Sequence, residues 1–434
     1  MYCNKCGAQL IDGARFCSGC GAPTVAYVGA VGVGTAPSAE QEKYKVMDDV
    51  TSRLNSLAGG TGSVKLRFGD FFDSILKKHT REEAEELFVC GTNATTPPVN
   101  EVSADWPHPW LYSRVFLVLL ATFIGCVVLG FELENLNAFP GIMFVGAMVV
   151  PFSLLIFFFE TNAPRNINMV DIVKIFFIGG IFSILLIYPL SSVLPGGGVG
   201  LIVPSMITGI VEELAKIVLT AFFLSRVRGR GYILNGLLIG SAVGAGFAVF
   251  ESAGYAFNAL LSGDSASMLE NIVLRAFLSI GGHTAWAAVE GAAMGLCEKD
   301  GVFDWRILVD KRFLIFAASM ILLHGIWDMY VLFLDNFGII KYLILIAAVW
   351  VFVIVLLNRG LEQVNELADR PKGVDAEASS NVAQGGISPT AVESVVAVAG
   401  SSDAQVLTGI YCPKCGTKHA EGERFCRGCG MVLS

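Results

Sequence analysis

The chain has 434 residues, of which 54% are hydrophobic and only 16% charged, with a formal net charge of −8 and a mean hydropathy of +0.62. Soluble proteins carry about 25% charged residues, so an ordinary soluble domain is excluded. The acidic balance also argues against general nucleic-acid binding, which needs a basic footprint, and no nucleic-acid partner is expected.

In chain order, residues 1–22 come first and carry Cys3, Cys6, Cys17 and Cys20; residues 411–434 close the chain with Cys412, Cys415, Cys426 and Cys429. Both sets read Cys-x2-Cys-x10-Cys-x2-Cys, and both contain Lys-Cys-Gly and Arg-Phe-Cys-x-Gly-Cys-Gly. Two pairs of thiolates on tight knuckles supply four soft ligands in a tetrahedron around one zinc. Four ligands leave no open coordination position, so catalysis is not expected there. The segments resemble short zinc-ribbon modules. A module of that size takes its folding energy from the metal, and a protein partner, or the other ribbon, is the functional expectation for it. Cys90, Cys126 and Cys297 are left over and are expected to be inert thiols. The chain opens Met-Tyr-Cys with no charged-then-apolar leader, so the first membrane span is expected to direct insertion.

Residues 40–110 read as a soluble, mostly helical segment. Phe68, Phe71, Phe72, Ile75 and Leu76 recur at helical spacing. Thr80 followed by Glu83 predicts a capping box that opens a helix over 80–88. The apolar excess lies between 111 and 358, in stretches of about 20 residues, the length a helix needs to cross a bilayer. Eight spans are predicted, at about 111–131, 138–160, 170–190, 200–224, 232–261, 271–297, 312–334 and 338–358. Gly236, Gly240 and Gly244, and Gly291 with Gly295, form small-residue ladders that let helices approach closely. Residues 371–409, rich in Ser, Ala, Gly and Val, read as a flexible linker.

Orientation follows from the basic residues of the short loops. Arg165, Lys174, Arg226, Arg228, Arg230, Lys299, Arg306, Lys311 and Arg312 fall on one side, and only Arg275 and Lys341 on the other. This bias places both termini in the cytoplasm, where thiols stay reduced and a disulfide framework is disfavoured. The fold expected is an all-α polytopic membrane protein of about eight transmembrane helices, with a small zinc ribbon at each end.

The informative feature is polar. Glu212, Glu213 and Lys216 fall on the fourth predicted span, Glu251 on the fifth, His283 on the sixth, and His324 with Asp328 on the seventh. A charged side chain at the bilayer centre costs about 3 kcal/mol on insertion scales, and intramembrane ionisable groups mark functional sites. Glu212 and Lys216 are four residues apart and share a helix face, so Lys216 can offset part of that cost. Two adjacent carboxyls in a dry site are hard to ionise together, which leaves one available as a general acid or base. Phe247 lies one turn before Glu251, and Ser279, Trp286 and Glu290 lie on about the same side as His283.

These motifs resemble the PrsW family of intramembrane proteases, distantly similar to the CAAX-protease and bacteriocin-processing group. The matching positions are Glu212, Glu213 and Lys216; Gly246, Phe247 and Glu251; Arg275 and His283; and His324, Gly325 and Asp328. The resemblance spans about 170–350 and leaves out the ribbons and the soluble segment. The chain departs from the pattern at Ser252, where an Asn is expected, and at Glu290, which the pattern does not contain. The resemblance implies hydrolysis of peptide bonds in or near the membrane, in single-pass proteins such as anti-sigma factors, in a bacterial cytoplasmic membrane.

Two versions of the chemistry fit the residues. In one, Glu251, His283 and His324 bind a catalytic zinc, and Glu212 or Glu213 is the general base. In the other no metal takes part: a glutamate activates water while His283 or His324 helps hold the oxyanion. Two other classes compete. Buried carboxylates and histidines also build proton relays in transporters or sensors, although the chain lacks the repeated halves usual in transporters. A non-catalytic scaffold with ribbon docking arms would have no need of Glu213 or His324.

Overall fold

The computed structural model describes residues 39–92, 94–193, 202–227, 231–299, 301–330 and 338–369, together with 410–411 and 418–419. The eight ribbon cysteines, the 371–409 linker, Arg228 and Arg230 lie outside the described residues. The chain divides into two compact units, 39–379 and the two ends taken together. Of the ends, the described part is one antiparallel pair, Ile410–Tyr411 with Lys418–His419, in which Ile410 faces His419.

The larger unit is helical. Two helices precede the apolar region, α1 (Ala39–Leu57) and α2 (Arg81–Phe88). Then follow α3 (Leu111–Val127), α4 (Phe139–Met148), α5 (Pro151–Thr161), α6 (Met169–Lys174) and α7 (Gly180–Val193). The remainder are α8 (Ile202–Leu224), α9 (Ile233–Leu261), α10 (Ser265–Leu278), α11 (His283–Cys297), α12 (Lys311–Asp328) and α13 (Ile340–Ala368). The α2 capping box forms as its sequence predicts: Thr80 Oγ1 accepts from the Glu83 amide at 3.2 Å, and Glu83 Oε2 accepts from the Thr80 amide at 3.3 Å. The Phe68–Leu76 run makes only a short 3-10 turn at Phe68–Phe72. Its aromatic rings serve to dock the segment: Phe71 packs on Trp106, Phe157 and Trp350, and the Tyr112 hydroxyl donates to the Phe71 carbonyl at 2.8 Å.

Six helical stretches are long and apolar enough to cross a membrane: Leu111–Glu132, Leu136–Thr161, Met169–Val193, Ile233–Leu261, Ser265–Cys297 and Ile340–Ala368. The other two predicted spans are helices as well, α8 and α12, but they are not among these six. Each holds three charged side chains: Glu212, Glu213 and Lys216 in α8, and Lys311, Arg312 and Asp328 in α12. In these two helices the charges leave no charge-poor run of span length, whereas Ile340–Ala368 keeps its charged residues toward its ends.

Helix α9 is the centre of the bundle, packed against α4, α5, α7, α8, α10, α11 and α13. Nearly all of its side chains from Ile233 to Val249 are buried. Its small-residue ladder meets the backbone of α11: a Cβ at Gly236 would stand 2.0 Å from the Gly291 carbonyl oxygen. Both helices need small residues at this crossing, as the spacing predicted.

The sixth predicted span, 271–297, is not one continuous helix. It breaks after Leu278 into a 3-10 turn, Ser279–Gly281, and restarts at His283. The adjacent Gly281 and Gly282 weaken the helix there, and a Cβ on Gly281 would collide with Ile346. A break in a membrane helix frees backbone groups that other helices must satisfy. Here Trp350 Nε1 of α13 donates to the Ile280 carbonyl at 3.0 Å. As a result His283 is the first residue of α11, not a mid-helix residue.

Candidate active site

Four helices bring the predicted polar residues into one cluster. Lys216 is its node. Fully buried on α8, its Nζ donates to Glu213 Oε1 at 2.7 Å and to His283 Nδ1 at 2.8 Å. It also stands 4.6 Å from the centre of the Phe247 ring of α9, a favourable cation–π position. Sequence spacing pointed to Glu212 as the partner of Lys216; the structure pairs it with Glu213 instead. The reason is direction. Glu213 and Lys216 both turn into the protein, with no exposed side-chain surface, whereas Glu212 keeps 14% of its side chain accessible.

The donors fix the tautomers. An ammonium only donates, so His283 Nδ1 accepts from Lys216. His283 Nε2 then carries the hydrogen and donates to Glu251 Oε2 at 3.0 Å. Glu251 is also held by Arg275 Nη2 at 2.5 Å, and Arg275 Nε donates to Ser252 Oγ at 3.0 Å. Arg275 and Ser252 thus form a clamp behind Glu251, with the serine that stands at the expected Asn position as its anchor. His324 of α12 lies on the other side of Glu213. Its Nδ1 is 2.5 Å from Glu213 Oε1, and its Nε2 is 3.6 Å from Glu212 Oε2 and 3.5 Å from Asp328 Oδ2.

Aromatic rings set the imidazoles. The Trp286 indole stacks on His324 with ring centres 4.5 Å apart, and His283 meets both rings edge-on at 5.1 Å. Trp286 has a positioning role that the sequence offered only as a neighbour of His283. Helices α8 and α12 can lie this close because Gly325, next to His324, has no side chain; a Cβ there would strike the Met206 sulfur. The lower end of α12 is tied down as well. Ser205 Oγ donates to the Asp328 carbonyl at 3.1 Å, and Lys341 Nζ to the Met329 carbonyl at 2.9 Å.

Every predicted membrane-site residue falls in this cluster: Glu212, Glu213, Lys216, Glu251, His283, His324 and Asp328. Their grouping differs from the zinc set first expected. The three residues whose donor atoms all come within 4.8 Å of one another are Glu212, His283 and His324, while Glu251 is committed to Arg275 and His283. Two imidazoles and a carboxylate suit a catalytic zinc. Glu212 Oε2 is buried and has no hydrogen-bond partner among the described residues, as a ligand oxygen waiting for a cation would be. The donor set therefore fits zinc, provided His283 exchanges one of its two present contacts.

Residues 169–357 match the family described as PrsW family intramembrane metalloprotease, and residues 2–24 and 411–433 each match a zinc-ribbon domain. No curated protein and no solved structure matches the chain.

Proposed function

We propose that this membrane protein, which carries a PrsW-family protease domain between two zinc ribbons, is an endopeptidase that cuts single-pass membrane proteins, anti-sigma factors among them. The observation that supports this most is the gathering of Glu212, Glu213, Glu251, His283 and His324 in one cluster with Lys216, because so many ionisable groups are not gathered inside a membrane protein without a functional gain.

The roles follow from access and bonding. Glu212 is the carboxylate with an unpartnered oxygen and a route to solvent, so it takes the proton from the attacking water and returns it to the leaving amine. Glu213 is held between Lys216 and His324, and it orients His324 through Nδ1. His324 Nε2, open toward Glu212 and Asp328, is the donor placed to steady the oxyanion. Lys216 and Glu251 hold His283 in one tautomer from its two sides. These are the roles of the metal-free route; were a zinc held by Glu212, His283 and His324 instead, it would polarise the peptide carbonyl and acidify a bound water, with Glu212 and His324 serving as its ligands rather than as base and oxyanion donor.

Two measurements test this reading. Glu213→Gln, which loosens the hold on His324, and His324→Ala are each expected to lower cleavage of a tagged single-pass protein in proteoliposomes by about 100-fold or more, the size of a lost oxyanion contribution. Cleavage at the parent rate by both variants would remove these residues from the mechanism, and ion flux without cleavage would favour a transporter. For the metal, all eight ribbon cysteines are replaced by Ser in the full-length chain. Zinc at about one per chain, lost on adding His324→Ala, is the expected result; a chain without zinc that still cleaves would leave the metal-free route.

A further inference from the structure

Residues 65–78 lie outside the site and outside the matched protease region, yet they carry a pattern of their own. Phe68, Phe72 and Leu76 are exposed, Leu76 by 93%, and the two aromatic rings touch, with centres 5.3 Å apart. Lys65 and Arg67 on one side, and Lys77 and Lys78 on the other, flank them and are exposed too. Two membrane helices fix the level of this turn. On α13 the apolar run ends at Asn358 and Arg359. At that edge Arg359 Nε donates to the Ala58 carbonyl at 3.3 Å, and Asn358 Oδ1 accepts from the Lys65 amide at 3.0 Å. Phe68 and Phe71 instead meet the ring of Trp350, at 6.2 and 5.9 Å. Trp350 lies roughly 12 Å further into the apolar run than Asn358. The chain then returns along α3. Tyr112 Oη donates to the Phe71 carbonyl at 2.8 Å and Arg114 Nη2 to the Ile75 carbonyl at 3.2 Å, both from the start of the span Leu111–Glu132. The turn therefore dips below the polar edge of α13, and apolar side chains left exposed at that level face lipid.

We propose that residues 65–78 form an interfacial anchor that recognises anionic lipid: Phe68, Phe72 and Leu76 enter the acyl boundary, and Lys65, Arg67, Lys77 and Lys78 meet the headgroups around them. The charges support this. The two acids of the segment are occupied, since Asp70 Oδ2 accepts from the Arg67 amide at 2.8 Å and Asp73 Oδ2 pairs with His108 Nδ1 at 2.6 Å. The basic side chains have no ion pair among the described residues; Lys77 Nζ donates only to Ser74 Oγ, at 3.1 Å. Long basic side chains lay their stems on apolar surface and send their charge to the phosphates, and a basic cluster beside a membrane helix attracts anionic lipid. Aromatic and leucine side chains on one face with lysines at its rim are the make-up of an element that lies in the interface. The anchor stands whether or not the buried site cuts peptides.

The test uses the full-length protein with one fluorescent residue in place of Leu76, in liposomes of phosphatidylcholine and phosphatidylglycerol at about 0.1 M salt. Lipid brominated along its acyl chains, carried on either headgroup in turn, is one quencher, and iodide in the water is the other. Brominated lipid is expected to quench the emission by about half or more, and iodide to quench it little. At equal mole fraction, bromine on phosphatidylglycerol is expected to quench about twofold more than bromine on phosphatidylcholine. Combining Lys65→Gln, Arg67→Gln, Lys77→Gln and Lys78→Gln is expected to make the two lipids equal while the acyl contact remains. Raising the salt to about 1 M is expected to do the same, because it screens the headgroup attraction. Quenching by iodide and not by brominated lipid would put Leu76 in water and overturn the proposal. Protection from both quenchers would mean that protein covers this face, and would overturn it as well. So would equal quenching by the two lipids while the four basic residues are in place. That comparison decides even if the fourfold variant does not fold.

Discussion

At the scale of single residues, Lys216 is the side chain on which the cluster depends. Removing one partner from a buried ion pair costs about 3–5 kcal/mol, because the other charge is left uncompensated. Lys216→Met is therefore expected to destabilise the protein by about that amount in detergent thermal melts and to abolish cleavage. Combining it with Glu213→Leu removes both charges and is expected to restore much of the stability but none of the activity. An undiminished melting temperature in Lys216→Met would mean that the ammonium does not hold the site. The spacing of residues 212–216 showed that a lysine would accompany the glutamates, but not which one it would meet. Position along a helix sets the face to within a turn; only the neighbouring helices, here α11 with His283, decide the direction in which a long side chain extends.

At the scale of elements, the crossing of α9 and α11 is the tightest contact near the site, and it requires glycine. Gly236→Val is expected to cost about 1–3 kcal/mol or more through overpacking and to lower cleavage by shifting His283, as read by thermal melts and the proteoliposome assay together. A variant as stable and active as the parent would show that the helices do not approach as described. The far end of α11 offers a separate check. Burial pushes the Glu298 carboxyl, just past the end of the membrane stretch, up to about 7. A carboxyl raised in the folded state holds its proton more tightly than the unfolded chain does, so its contribution to stability is highest at acid pH and is lost as pH rises from about 4.5 to about 7. Glu298→Gln is expected to flatten that part of the stability–pH curve and to raise stability at pH 8; a curve unchanged by the substitution would contradict the assignment. The break before α11 was less legible. The stretch Ser265–Cys297 runs 33 residues, well beyond the roughly 20 of a span, and Gly281-Gly282 lies inside it. Both signals were present, but the apolar residues that run on either side of Gly281-Gly282 in 271–297 masked them. The chain turns there because Trp350, 70 residues away, accommodates the freed Ile280 carbonyl.

At the scale of the whole molecule, the chain encloses a polar centre in an apolar helical body and carries a ribbon segment at each end. The helical class and the site residues were readable because buried charge in an apolar run is costly and so conspicuous. The number of spans is harder to read for the same reason: in α8 and α12 three charged residues fall within a single span length. Which of Glu212 and Glu213 keeps access to solvent was not legible, because accessibility is a property of the assembled bundle. In the proposed peptidase, Glu212 is the group that moves the proton. The most direct measurement is single-turnover cleavage of a tagged single-pass protein by purified parent and Glu212→Gln proteins in the same proteoliposomes. The predicted result is a cleavage step slowed by at least about 100-fold with substrate binding unchanged; cleavage by Glu212→Gln at the parent rate would contradict it.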